Sequence, residues 1–109
     1  MFNRIILFNV LSLFIFFDLL IAANVGKIVG RITDLESGEP LVGANVLIEG
    51  TYQGSTTDEL GDYAIINVYP GSYTITISYI GYEIISQVGI KVNADKTTHI
   101  DKALRKEVI

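Results

Sequence analysis

Residues 72–79 alternate without a break: Tyr73, Ile75, Ile77 and Tyr79 fall on one side, and Ser72, Thr74, Thr76 and Ser78 on the other. Side chains of an extended strand point to opposite faces with a period of two, whereas a helix would scatter both sets around its surface. This stretch therefore forms a strand that covers a core with an apolar, aromatic face and meets water with a hydroxylic one. The same period, less regular, runs through the rest of the chain beyond residue 23. Ile28, Gly30 and Ile32 share a side opposed by Lys27 and Arg31, with Val29 out of phase. Ala44, Val46 and Ile48 alternate with Asn45, Leu47 and Glu49, and Tyr63, Ile65 and Asn67 oppose Ala64, Ile66 and Val68.

Turn-forming residues separate these runs. Asp34 to Pro40, Gly50, Asp58 to Asp62, Pro70-Gly71, Gly81 and Asn93 to Lys96 are the breaks. Pro70-Gly71 fits the centre of a type II turn, with proline fixing φ at the first position and glycine taking positive φ at the second. A short strand within Tyr52 to Thr57, and two more in Glu83 to Ile90 and Thr97 to Leu104, bring the total to seven. Seven short strands with turns roughly every ten residues, and no sustained helical period, predict an all-β two-sheet sandwich, with a small barrel as the alternative.

The first 23 residues differ in kind. Arg4 precedes an apolar run from Ile5 to Ile21, which ends in Ala22-Ala23. A basic start, an apolar centre and small residues at the end form the pattern of a secretory signal peptide, placing cleavage near Ala23. Asp18 sits awkwardly in the apolar region. A retained anchor or a buried helix are the competing readings, but Asn9, Ser12 and Asp18 interrupt the roughly 20 apolar residues that a membrane span requires. The expected organisation is a signal peptide over 1–23, a β-sandwich domain over 24–104, and a tail or the start of a linker over 105–109.

Composition then excludes several chemistries. The chain has no cysteine, so disulfides, thiol nucleophiles, thiolate metal sites and a lipid-modified N-terminal cysteine are ruled out. Beyond residue 23, seven Lys or Arg stand against eleven Asp or Glu, and no basic stripe is available to displace the counterions of a nucleic acid. His99, the single histidine, lies between Thr98 and Ile100 with no nucleophile at a spacing that suggests a pair, and reads as a solvent-facing strand residue. Asp58, Glu59 and Asp62 around Gly61 resemble a calcium loop in composition only. The EF-hand spacing is missing, and an aspartate bonding to the chain two residues on explains the same pattern. No phosphate-cradling loop, HExxH or GxSxG is present. The expectation is a domain with no catalytic residues, no cofactor and no metal.

Tyrosines are the remaining signal. Six of the eleven aromatic residues are tyrosines, all between positions 52 and 82. Tyr63, Tyr73 and Tyr79 have the parity of the core. Tyr52, Tyr69 and Tyr82 flank turns and are the candidate recognition surface, since tyrosine combines an apolar ring with a polar tip.

The ordered motifs carry a family resemblance. Gly26-Lys27-Ile28-Val29-Gly30-Arg31-Ile32-Thr33-Asp34 and Gly38-Glu39-Pro40-Leu41-Val42-Gly43-Ala44-Asn45-Val46 are similar to the opening of the carboxypeptidase regulatory-like domain. Gly50-Thr51, Thr56-Thr57-Asp58, Gly61-Asp62-Tyr63, Pro70-Gly71-Ser72-Tyr73 and Tyr79-Ile80-Gly81-Tyr82 follow in the family's order over nearly all of 26–104, with Val42 where proline is frequent. The resemblance implies a transthyretin-like (prealbumin-like) Greek-key sandwich without catalytic residues. It also implies a setting in the bacterial envelope, in the periplasm at the outer membrane, where such domains precede the plug and barrel of TonB-dependent receptors. Partners would then be proteins, including a downstream plug and barrel of the same polypeptide. A freestanding carbohydrate-binding module, with a glycan as partner, is the alternative.

Overall fold

The computed structural model describes residues 24–108, so the apolar segment read as a signal peptide lies outside the described residues. Among the described residues there are eight strands and no helix: β1 Gly26–Asp34, β2 Asn45–Ile48, β3 Gly54–Thr56, β4 Asp62–Val68, β5 Gly71–Ser78, β6 Ile85–Val92, β7 Thr97–His99 and β8 Lys102–Leu104. They form two four-stranded sheets. In the first, β1 is flanked by antiparallel β4 on one side and by parallel β7 and β8 on the other. In the second, the order is β3-β2-β5-β6, antiparallel throughout. The architecture is a sandwich and not a barrel.

The alternation read from the sequence sets the core. Ile28 and Ile32 from β1, Val46 and Ile48 from β2, Tyr63 and Ile65 from β4, and Ile75 and Ile77 from β5 are all buried between the sheets. Leu41, Ala44, Val68, Ile90, Val92 and Leu104 complete this cluster. Burial of such aliphatic side chains, worth about 1.5–3 kcal/mol each, is what a cysteine-free domain has in place of disulfides. Tyr73 and Tyr79 pack against the core from its margin and are only partly buried.

Three local expectations are corrected, and one bulge is added. Asn67 does not continue the inward row of Tyr63 and Ile65. It adopts a φ of 56° within a bulge, so that Ile66 and Asn67 both face outward and Val68 turns in. One extra residue on β4 shifts the phase of every side chain after it. Gly71 does not take positive φ; it begins β5 and pairs with Val92, so Val68 to Gly71 is a crossing from one sheet to the other rather than a type II turn. A second bulge at Val88-Gly89, with Gly89 at a φ of 72°, interrupts the edge strand β6 and makes it a poorer template for another strand. Finally, the expected seventh strand is two strands. β7 follows β1 through Lys27 to Val29 and β8 through Ile32 to Asp34, with Ile100 and Asp101 stepping out of register between them.

Candidate functional site

Asp34 occupies the next inward position after Ile28, Gly30 and Ile32, and as a residue it is only 6% exposed. Its carboxylate is fully engaged. Oδ1 accepts the backbone N–H groups of Glu36 and Ser37, both at 2.9 Å, which fixes the turn after β1. Oδ2 accepts the hydroxyl of Tyr82 at 2.6 Å. The Tyr82 ring meets Tyr79 edge-on, with centroids 5.3 Å apart, and packs against the core. The backbone around Tyr82 is also held: Glu83 N–H donates to the Arg105 carbonyl, Glu107 N–H donates to the Gly81 carbonyl, and Tyr82 bridges Lys106. The Tyr82 side chain thus ties the β5–β6 connection to the end of β1, and the backbone around it ties the same connection to residues 105–107.

The electrostatics agree with this geometry. The Tyr82 hydroxyl, followed by the Ser37 N–H, holds the Asp34 carboxyl down to about 2. The negative charge of Asp34 as hydrogen-bond acceptor, with burial second, pushes the Tyr82 phenol up to about 12. A carboxylate depressed in the folded state contributes stability above its unfolded pKa, near 3.9, and loses it as pH falls toward the folded value. A phenol raised in the folded state contributes below its unfolded pKa, near 10, and loses it as pH rises through the folded value. The pair therefore stabilises the domain across the whole neutral range. In denaturant titrations, Asp34→Asn is expected to lower the unfolding midpoint at neutral pH, with the gap from the parent protein closing by about pH 2. A gap independent of pH would remove the carboxylate charge from this account.

The other two turn tyrosines are placed differently. Tyr52 projects fully into solvent from the β2–β3 turn, and Tyr69 is 72% exposed on the crossing between β4 and β5. Tyr52 lines a depression over the outer face of the second sheet, together with Asn45, Leu47, Ser55, Thr76 and Ser78. Tyr82 lines a different one with Ile80, Ile84 and Glu107, and Tyr69 lines neither. The three candidate recognition residues are thus dispersed, and Tyr82 is committed to Asp34.

A third depression, of about 450 Å³, gathers Arg31, Asp62, Tyr63, His99 and Asp101 over the first sheet. Its polar groups serve one another. Arg31 Nε donates to Asp62 Oδ1 at 2.8 Å, the Arg31 backbone N–H donates to Asp101 Oδ1, and the Tyr63 hydroxyl donates to the Ile100 carbonyl. Arg31 holds the Asp62 carboxyl below the usual carboxylate range, and burial pushes the Tyr63 phenol up to about 12. Among the described residues, His99 is paired with no nucleophile, and no three acidic or imidazole side chains converge as a metal site. Asp58 closes its own turn, with Oδ1 accepting the N–H groups of Leu60 and Asp62. That is the local bonding which the calcium reading had as its competitor.

The family model of the carboxypeptidase regulatory-like domain matches residues 27–105. The chain belongs to this family. Two relatives are TonB-dependent receptors of Formosa agariphila. Receptor P3 is 30% identical over 105 residues, covering 90% of this chain. Receptor P39 is 46% identical over 48 residues, covering 44% of it. The chain spans only 10% and 4% of the lengths of these two receptors. Among solved structures, a chain of the type II cohesin–X-dockerin complex of Acetivibrio cellulolyticus superposes with a TM-score of 0.61 at 23% identity, covering 70% of this chain and 51% of that one. That likeness supports the sandwich fold. In this member of the regulatory-like family, the glycine- and tyrosine-containing segments that carried the resemblance coincide with the Asp34–Tyr82 tie, the Gly61 turn and the Gly30 strand.

Sequence reasoning missed the Asp34–Tyr82 pair. Half of it was legible, because a carboxylate in phase with Ile28 and Ile32 has to find donors. The identity of the donor, 48 residues away, was not.

Proposed function

We propose that this chain is the non-enzymatic N-terminal accessory domain of a TonB-dependent receptor, exported through residues 1–23 and facing the periplasm at the outer membrane. Its role on this reading is protein–protein contact, with the plug and barrel of the same polypeptide or with an envelope partner. The observation that carries the reading is the alignment of nearly the whole domain with one-tenth of a much longer receptor. The polar clusters fit a structural and adaptor role, because Arg31, Asp62, Tyr63, Asp34 and Tyr82 bind one another. The test is the coding sequence downstream of Ile109 together with N-terminal sequencing of the envelope-fractionated protein. A plug and barrel in frame, and a mature start near Asn24, are expected. A natural stop codon after Ile109 would overturn the receptor assignment, and an uncleaved Met1 in the cytoplasmic fraction would overturn export.

A further inference from the structure

The outer face of the second sheet carries chemistry that neither the core nor the adaptor reading uses. Register places Thr56, Asn45 and Ser78 side by side across β3, β2 and β5, and Leu47 beside Thr76 in the next row. These residues floor a shallow depression of about 630 Å³, and Tyr52 stands at its rim. The β2–β3 turn that presents Tyr52 is tightly bonded. Thr51 Oγ1 donates to the Ile48 carbonyl and accepts the Gln53 N–H, while Gln53 Nε2 donates to the carbonyls of Ile66 and Asn67 on β4. These bonds order the turn, and the Tyr52 ring stands fully exposed from it beside the hydroxyls and carboxamide of the floor. Threonine and serine on a strand's outer face need no explanation beyond strand preference and solubility. The exposed Tyr52 ring beside them adds an apolar surface that is free to meet a ligand.

We propose that this face is a binding site for an uncharged oligosaccharide, with Tyr52 as the stacking platform. Three features of the lining select that class. It contains no cationic side chain, so it offers no counter-charge to a phosphate or a uronic acid, and the carboxylate at its edge, Glu49, accepts from the Thr76 hydroxyl. Its polar groups are hydroxyls and one carboxamide, which both donate and accept and therefore match the hydroxyl groups of a sugar. The large exposed apolar groups of its lining are the Tyr52 ring and Leu47, which suit the C–H face of a pyranose while its edge hydroxyls meet polar groups. The open shape fits an extended chain lying along the sheet better than a buried monosaccharide. Glu49, bonded to Thr76 Oγ1 at 2.6 Å, orients that hydroxyl at the floor. This site does not depend on the receptor assignment.

The test titrates the full exported chain with neutral hexaoses of glucose (β-1,4 and α-1,4), xylose and mannose, followed by amide NMR shifts. At least one hexaose is expected to bind at roughly millimolar strength, with the largest shifts at Asn45, Thr56, Thr76 and Ser78. Tyr52→Ala is expected to weaken that binding about tenfold, and Tyr69→Ala to leave it unchanged. Tyr52 packs on nothing in the core, so both variants should retain the parent spectrum elsewhere. Failure of all four hexaoses to bind, shifts confined to another face, or an unaltered affinity in Tyr52→Ala would each overturn the proposal.

Discussion

Replacing Gly30 with alanine is expected to destabilise the domain by about 3 kcal/mol or more, one of the largest losses available to a single added methyl group. Gly30 lies in β1, paired with Tyr63 of β4 on one side. On the other side, Ile100 steps between β7 and β8 and donates its N–H to the Val29 carbonyl. A β-carbon at position 30 would land on the Ile100 carbonyl oxygen, 2.6 Å from its carbonyl carbon and 2.9 Å from the Tyr63 hydroxyl. Two of these three atoms are main chain, held in the sheet on both sides, so no side-chain rotation relieves the contact. The same approach lets the Tyr63 hydroxyl cross over the glycine and donate to the Ile100 carbonyl at 2.7 Å. The substitution therefore pushes the edge of the first sheet away and breaks that hydrogen bond at once. Tyr63→Phe removes only the bond and should cost about 1 kcal/mol. For a domain this small, the alanine variant should lower the thermal midpoint by about 12 °C or more. A loss comparable to that of Tyr63→Phe would mean that Ile100 can move aside, and that close approach does not explain the glycine.

That contact also marks where sequence reading stops. Period-two alternation identified Ile28, Ile32, Val46, Ile48, Tyr63, Ile65, Ile75 and Ile77 as core, because a strand pattern needs no knowledge of its partner. The sandwich and its family followed from the same pattern and from the spacing of turns. The alternation failed where one residue was inserted. Asn67 was assigned inward because nothing local announces a bulge; its positive φ lies between the pairs Ile65–Ile28 and Val68–Gly26, whose β1 members are some 40 residues earlier in the chain. The break at Ile100-Asp101 was likewise not read: Asp101 is a poor strand residue, but one aspartate does not announce a break, and the reason lies across the sheet at Gly30. At the candidate sites, exposure of Tyr52 and Tyr69 was legible from their turns. The fate of Tyr82 was decided by Asp34, a long-range bond that spacing along the chain does not encode.

Thr57→Val is expected to cost about 2–4 kcal/mol, although it changes neither the size nor the branching of the side chain. Thr57 is 5% exposed and stands between β3 and β4, facing the segment that leads into β2. Its backbone N–H donates to the Ala44 carbonyl, and its carbonyl accepts the Gly43 N–H, both at 3.0 Å. Its hydroxyl completes the junction by donating to the Leu41 carbonyl and accepting the Ala44 N–H. Leu41 and Ala44 are buried, so valine leaves a donor and an acceptor stranded beside an apolar core. The hydrophobic gain from valine's second methyl, about 0.8 kcal/mol, is smaller than the loss of the two bonds. Thr57→Ser makes the opposite exchange, keeping the hydroxyl and giving up a buried methyl, and should cost only about 1 kcal/mol. The order of the two variants is therefore the discriminating measurement: serine should unfold at higher denaturant than valine, and the Ala44 amide should exchange faster only in valine. If the order is reversed, packing around the methyl outweighs the hydrogen bonds, and the 41–44 segment is held by its apolar side chains.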